Sequence, residues 1–255
     1  MRSLCVAGFA AAALTLGPLA AHAAEAEVRL DRIAADPTDL ASLQSGARTF
    51  VNYCLNCHSA SLVRYNALRA IGLSEDQIRD NLMFTAEKVG MPMSIAMAPK
   101  DAKEWFGAVP PDLSVIARAR GADWLYTYLR GFYRDPERPT GWNNTVYPNV
   151  GMPHALWRLQ GERVLKEEAA VKDGKPILGE DGQPLRVATL EMVRPGTQST
   201  AQYDRTVYDL VNFLAWMSEP HQVARKQLGV WVLFSLAIMI LLAYLLKQSY
   251  WKHVH

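Results

Sequence analysis

Cys54-Leu55-Asn56-Cys57-His58 is the stretch around which the rest of the chain is read. Two cysteines three apart, with a histidine directly after the second, form the C-x-x-C-H pattern of covalent c-type haem attachment. Each thiol adds across one haem vinyl group, and two intervening residues set the sulfurs a vinyl-to-vinyl distance apart. His58 then lies under the iron as the proximal imidazole ligand. A structural zinc site needs a second ligand pair, and the one further cysteine, Cys5, sits in an apparent export signal. A thioredoxin-like dithiol has no use for His58 and requires a strand before it.

Immediately upstream, Leu43, Ala47, Phe50 and Cys54 recur at intervals of four, three and four, the stripe of an amphipathic helix leading into the motif. Further back, Arg2 is the lone charge before an alanine- and leucine-rich stretch from Ser3 to Ala20. Ala21-His22-Ala23 supplies a small-x-small cleavage pattern, and an acidic segment follows from Glu25. Residues 1–23 therefore read as a cleaved signal peptide, which takes Cys5 with it and leaves only the haem cysteines. No disulfide framework is available despite the oxidising compartment that export implies.

At the other end, Leu228 to Leu246 is a run of nineteen residues without a charge, long enough to span a membrane as a helix. Arg225 and Lys226 precede it and Lys247 and Lys252 follow, so positive charge hardly biases its orientation. Trp231, Tyr244, Tyr250 and Trp251 lie near its ends, where amphipathic rings favour the interface. The organisation read from this is a periplasmic haem domain over 24–226, a transmembrane anchor over 227–247 and a cytoplasmic tail over 248–255. The corresponding location is a bacterial inner membrane, crossed once. His253 and His255 read as solvated tail residues.

The chain carries 27 Lys and Arg against 25 Asp and Glu; losing Arg2 with the signal leaves 26 against 25, and no basic stripe appears. A nucleic-acid role has no electrostatic support. The remaining length, 255 less 23 or about 230 residues, is ample for one domain with a real core.

The middle of the chain predicts helix and loop. Ser74-Glu75-Asp76-Gln77 has the form of a capping box opening a helix toward Met83. Asp112, after Pro110-Pro111, is placed to cap a helix running to Arg120, and Asp123 to cap another through Leu129. Asp173-Gly174 and Asp181-Gly182 flank short apolar runs and predict one or two β-hairpins inserted into a helical domain. Val207, Leu210, Val211 and Leu214 make an amphipathic helix of Tyr203 to Met217, stopped by Pro220. A helix before the haem motif and one at the end of the domain is the cytochrome c arrangement, in which the two cross. The expected fold class is mainly α: a cytochrome c-type haem domain with a short β-hairpin insertion and one C-terminal transmembrane helix.

The sixth iron ligand is open on periodicity alone. His154 and His221 are the remaining histidines of the domain. Met152 sits in a loop held open by Pro148, Gly151 and Pro153, which suits a ligand; the Met91, Met93 and Met97 group is the rival, and Met83 and Met217 read as core.

Three segments carry a family resemblance. Val51 to Ser61 with Arg64-Tyr65-Asn66, Pro110-Pro111-Asp112-Leu113-Ser114 with Arg118-Ala119-Arg120, and Asn149-Val150-Gly151-Met152-Pro153 together resemble the cytochrome c1 family, as does the C-terminal span. The resemblance implies one covalently attached haem c, with Cys54 and Cys57 as attachment points, His58 and Met152 as axial ligands and Arg120 near a propionate. It implies a subunit of the cytochrome bc1 complex, ubiquinol:cytochrome c reductase, beside cytochrome b and the Rieske iron–sulfur protein. In that role the chain takes an electron from the Rieske centre and passes it to a downstream c-type cytochrome, doing no chemistry of its own. His154 departs from the family's Met-Pro-Pro type segment. Two other classes remain: a membrane-tethered cytochrome serving a terminal oxidase, and a haem enzyme or gas sensor with a labile sixth ligand.

Overall fold

The computed structural model describes residues 29–169, 171–172, 175–176 and 186–252. The expected signal peptide, both Asp-Gly turns and the two tail histidines lie outside the described residues.

Helix α1, Leu40–Thr49, opens on Asp39, whose carboxylate accepts the Ser42 N–H at 3.0 Å. Leu43 and Ala47 are fully buried, as the stripe requires. The helix does not run regularly into the haem motif: Phe50–Cys54 wind as a π-turn, with the Leu55 N–H donating to the Phe50 carbonyl at 3.0 Å. Such wide turns are rare and cluster at functional sites.

Strand β1, Ala60–Arg64, follows the motif and leads into a 3₁₀ turn, Tyr65–Ile71. The capping box forms as expected, Ser74 and Gln77 each satisfying the other's backbone, and opens α2, Glu75–Asn81. Strand β2, Pro92–Met93, pairs antiparallel with β1, and α3 (Pro99–Phe106), α4 (Ile116–Arg120) and α5 (Ala122–Arg130) follow. Two caps expected here are absent. Helix α4 begins after Val115 with no side-chain cap, because Asp112 accepts instead from Ser114 N–H at 2.8 Å and from Ser61 N–H and hydroxyl at 2.8 and 2.7 Å. Asp123 lies inside the first turn of α5 and accepts the Ile33 N–H at 2.9 Å. In both cases a partner far along the chain takes the carboxylate, and Asp112 also closes a local turn on Ser114.

The inserted β region is larger than a single hairpin. Strands β3 (Phe132–Arg134) and β4 (Trp142–Asn144) precede the short helix α6 (Trp157–Gln160). Then β5, Gly161–Ala169, pairs antiparallel along its length with β8, Arg186–Pro195, and a minor ribbon, β6 (Val171–Lys172) with β7 (Lys175–Pro176), lies between them in sequence. The sheet order is β4-β3-β5-β8, with β3 and β5 parallel.

Helix α7, Thr200–Ser218, opens on a second capping box, Ser199 with Gln202. It crosses α1 at Gly46, where the Asp209 carbonyl and Phe213 Cβ occupy the space a side chain would need. Around the crossing, Leu43, Phe50, Val207, Leu210 and Phe213 are fully buried, and the Phe50 and Phe213 rings lie 5.7 Å apart. Burial of each such side chain is worth roughly 1.5–3 kcal/mol. A buried polar clamp joins the same helices: Ser42 donates to Asp209 at 2.7 Å, and the Asn212 amide donates to Ser42 at 3.1 Å and to the Asp36 carbonyl at 2.9 Å.

After Pro220, helix α8 runs unbroken over Gln222–Trp251, exposed along its length. Among the described residues it is the one helix long and apolar enough to cross a membrane.

Candidate haem site

The haem motif folds as one tight turn. The Cys54 carbonyl accepts from Cys57 N–H at 3.0 Å and from His58 N–H at 2.9 Å, so both thiols and the imidazole leave a single pivot. Both cysteines are half-buried and free of disulfide. Burial, and then the neighbouring Cys57, pushes the Cys54 thiol up to about 12, and burial raises Cys57 as well, so both are neutral thiols.

His58 is oriented by a partner with no side-chain signature. Its Nδ1 lies 2.8 Å from the Pro111 carbonyl. A carbonyl only accepts, so Nδ1 carries the proton and Nε2 keeps its lone pair. Burial lowers the ring's pKa, against the Pro111 bond and the Asp112 charge, which favour the imidazolium. A neutral, oriented imidazole with a bare Nε2 is what iron ligation requires. The segment carrying Pro111 is held in turn: Leu113 N–H donates to the Ser59 carbonyl at 2.8 Å, and Asp112 grips Ser61. Burial works against the Asp112 carboxylate, yet its bonds from Ser114 and Ser61 hold it below the usual range.

Met152 stands on a second wall, packed half-buried against the same core as Cys54. The Tyr128 hydroxyl donates to its sulfur at 3.4 Å. Burial, then Tyr147, raises the Tyr128 pKa, so the phenol keeps the proton it donates. Tyr128 stacks on Trp124 at 4.7 Å, and the Arg120 guanidinium lies over Trp124 at 5.2 Å and Tyr147 at 6.0 Å. Arg120 and Met152 thus belong to one aromatic wall, and Cys54, Cys57 and His58 to the other cluster.

The Met152 loop is built from backbone bonds that hydropathy does not reveal. Buried Asn144 donates to the Tyr128 carbonyl at 2.8 Å and accepts from Val146 and Tyr147 N–H. Asn143 accepts from Asn149 N–H at 2.8 Å, and Asn149 takes a left-handed φ of 61° while accepting from Arg138 at 2.8 Å. Gly151 passes so near α3 that a Cβ there would stand 2.7 Å from the Phe106 carbonyl. The paired asparagines in a turn-rich stretch were the available signal, and it was missed.

The other candidates are placed elsewhere. Met93 is fully buried opposite Ala60 in the β1–β2 ribbon, Met91 is exposed with its carbonyl accepting from Tyr65 N–H, and Met97 is half-exposed ahead of α3. His154 is a core residue: its ring stacks on Phe132 at 4.8 Å, its Nε2 pairs with Gln160 at 2.7 Å, and burial lowers its pKa to about 3. His221 is exposed before α8.

The donor set fits haem c. Two neutral thiols on one turn would take its two vinyl groups, and a neutral imidazole and a methionine thioether would supply nitrogen and sulfur donors to its iron. A bare metal ion finds no comparable site: among the described residues no three His, Cys, Asp or Glu side chains converge to hold one.

Residues 94–254 match the Cytochrome C1 family. The chain belongs to the cytochrome c1 family. The match starts downstream of the C-x-x-C-H turn, but relatives extend the likeness across it. Cytochrome c1 of Allochromatium vinosum is 43% identical over 256 residues, covering all of both chains, and cytochrome c1 of Rhodospirillum rubrum is 30% identical over 238 residues, covering 85% of this chain and 83% of its own. The chain is also 48% identical over 243 residues to a protein named ammonia monooxygenase gamma subunit from Nitrosomonas europaea, covering 95% of this chain and 96% of that one. As a cytochrome c1 family member the chain is a haem-bearing, membrane-anchored electron-transfer protein, mainly helical with a small sheet.

Proposed function

We propose that Cys54 and Cys57 carry the haem, that His58 and Met152 are its axial ligands, and that the chain works as the electron-transfer haem subunit of a cytochrome bc1 complex. The observation that carries this is the oriented, neutral His58 on a C-x-x-C-H turn, in a cytochrome c1 family chain ending in a membrane-length helix. Haem c, when bound, supplies a one-electron couple. The protein supplies the rest. Pro111 fixes the His58 tautomer, Tyr128 tunes the Met152 sulfur, and the aromatic wall excludes water. Held by both His58 and Met152, the haem would have a raised potential and no vacancy for oxygen or peroxide chemistry. Arg120, linked to Met152 only through Trp124 and Tyr128 and free of any ion pair among the described residues, is the cation we assign to a propionate.

In the finer reading, residues 1–23 are removed on export, residues 24–226 lie in the periplasm, 227–247 anchor the chain, and 248–255 remain in the cytoplasm. The electron then comes from a Rieske centre and leaves to a c-type cytochrome. A second reading takes the name of the Nitrosomonas relative: the same haem domain serving a membrane monooxygenase. Gentle isolation of the full chain from its own membranes separates the two. Cytochrome b, an iron–sulfur protein and inhibitor-sensitive reduction of the c-haem by quinol are expected. Arrival with monooxygenase subunits, the haem untouched by quinol, sinks the bc1 assignment.

Tyr128→Phe tests the tuning. The hydrogen bond draws density from the sulfur and disfavours the oxidised iron, so its loss lowers the midpoint potential. A differential of about 0.5–1 kcal/mol converts to about 20–40 mV for a one-electron couple. A redox titration showing no change, or a rise, contradicts this placement of the hydroxyl.

A further inference from the structure

A cavity of about 440 Å³ opens where the haem domain meets its anchor. It lies between the segment before α1, the helices α4 and α7, and the first turn of α8. None of the haem-site residues lines it.

Its chemistry is two-sided. Arg118 and Lys226 bring positive charge to the walls, and Lys226 makes no ion pair among the described residues. Glu219 brings a carboxylate, held by Arg225 at 2.9 Å and more loosely by Arg118 at 3.4 Å. Asn212, fully buried, also lines the cavity, and its Oδ1 has no hydrogen-bond partner. Rotating the amide does not help, because its nitrogen donates to the Asp36 carbonyl, which can only accept. A buried acceptor without a donor costs free energy until something supplies one. The cavity therefore asks for an anion near Arg118 and Lys226 and an N–H or O–H donor near Asn212.

Depth in the membrane narrows the class. Lys226 stands two residues before the uncharged run that starts at Leu228, so the cavity sits at headgroup level above the hydrocarbon. We propose that it binds the headgroup of one aminophospholipid of the phosphatidylethanolamine type. The phosphate is met by Arg118 and Lys226, and the ammonium by Glu219 and the Asn212 oxygen. A purely anionic lipid satisfies the cations but sets its charge against Glu219, and a choline headgroup has no N–H to give. The inference rests on the reading of α8 as a membrane anchor and on no haem-site residue, so its failure leaves the haem assignment untouched.

The test uses the full-length haem-loaded protein, delipidated in mild detergent and offered an equimolar mixture of phosphatidylethanolamine and phosphatidylcholine with identical acyl chains. Native mass spectrometry is expected to show one retained lipid, with the amine form favoured about tenfold, the worth of one charge-assisted hydrogen bond. Lys226→Glu, at the cavity mouth, and Ala215→Leu, which fills the cavity without changing charge, are each expected to cut retention tenfold or more, the Soret band reporting intact folding. Should Ala215→Leu lose that band, Lys226→Glu decides. Equal retention of the two lipids, or wild-type retention in a folded variant, overturns the proposal. A photo-crosslinker at position 222, which lines the cavity without a role in binding the headgroup, should label lipid in the assembled complex; labelling of a neighbouring polypeptide instead overturns the proposal and gives the cavity to a subunit contact.

Discussion

Gly46→Ala is expected to destabilise the haem-loaded protein by about 3 kcal/mol or more, and Gly46→Val to prevent its accumulation. In an isolated helix the alanine would gain roughly 1 kcal/mol of propensity. Here the sign reverses, because a Cβ at position 46 overlaps the Asp209 carbonyl and stands 2.6 Å from Phe213 Cβ. Neither obstacle is a flexible side-chain tip, so α1 and α7 must move apart. Separation loosens the Phe50–Phe213 contact and the Ser42–Asp209 bond together, and Asp209 is left buried without its hydroxyl partner. Gly90→Ala is the control, since nothing lies within 4 Å of a Cβ there and its φ is not positive. Guanidinium unfolding followed at the Soret band should shift strongly for position 46 and hardly for position 90. Equal shifts would show that the helix crossing is not the tight point of the fold.

The elements legible in the sequence were those decided by short-range chemistry. The Ser74 capping-box helix, the α1 and α7 stripes and the terminal apolar helix follow from spacing of a few residues, and the structure contains them, α7 with a second capping box at Ser199 that the stripe does not reveal. Expectations failed where a distant partner competed. Asp112 and Asp123 look like caps from local sequence, but the N–H groups of Ser61 and Ile33, far away along the chain, take those carboxylates. The π-turn at Phe50–Cys54 is likewise invisible to a 3.6-residue period, since its wider turn shifts the register by one residue. The β5–β8 ribbon was seen only through its turn chemistry, which gives no length.

At the proposed site, the C-x-x-C-H motif and the methionines were visible in the sequence, and the groups that orient them were not. C-x-x-C-H announces itself, whereas Pro111 acts through a carbonyl that every residue possesses. His154 shows the opposite hazard. A histidine two residues beyond the candidate ligand invites a role at iron, yet stacking on Phe132 and the bond to Gln160 make it neutral core filling. Sequence cannot distinguish these, because what differs is what the ring packs against.

Met152→Ala is expected to open one axial position. On the ligation we propose, the midpoint potential should fall on the order of 0.1–0.2 V, a fraction of the roughly 0.8 V that axial ligands command, and the reduced variant should bind carbon monoxide, which a His58–Met152 pair would resist. The rival group makes the experiment decisive. Met93→Ala removes a fully buried side chain and should cost about 2–5 kcal/mol of stability while leaving the potential and carbon monoxide resistance unchanged. Its partner across the ribbon is Ala60, two residues past His58, which argues for a place on the histidine's side of the site. Met97→Ala, half-exposed ahead of α3, should change neither stability nor ligation. The Met152 wall differs in having a phenol aimed at the sulfur and a loop fixed by Asn143 and Asn144, an investment of buried hydrogen bonds that simple packing does not require. If Met152→Ala keeps its potential while Met97→Ala loses it, the ligand passes to the 91–97 segment, and the Tyr128 bond becomes an ordinary core contact.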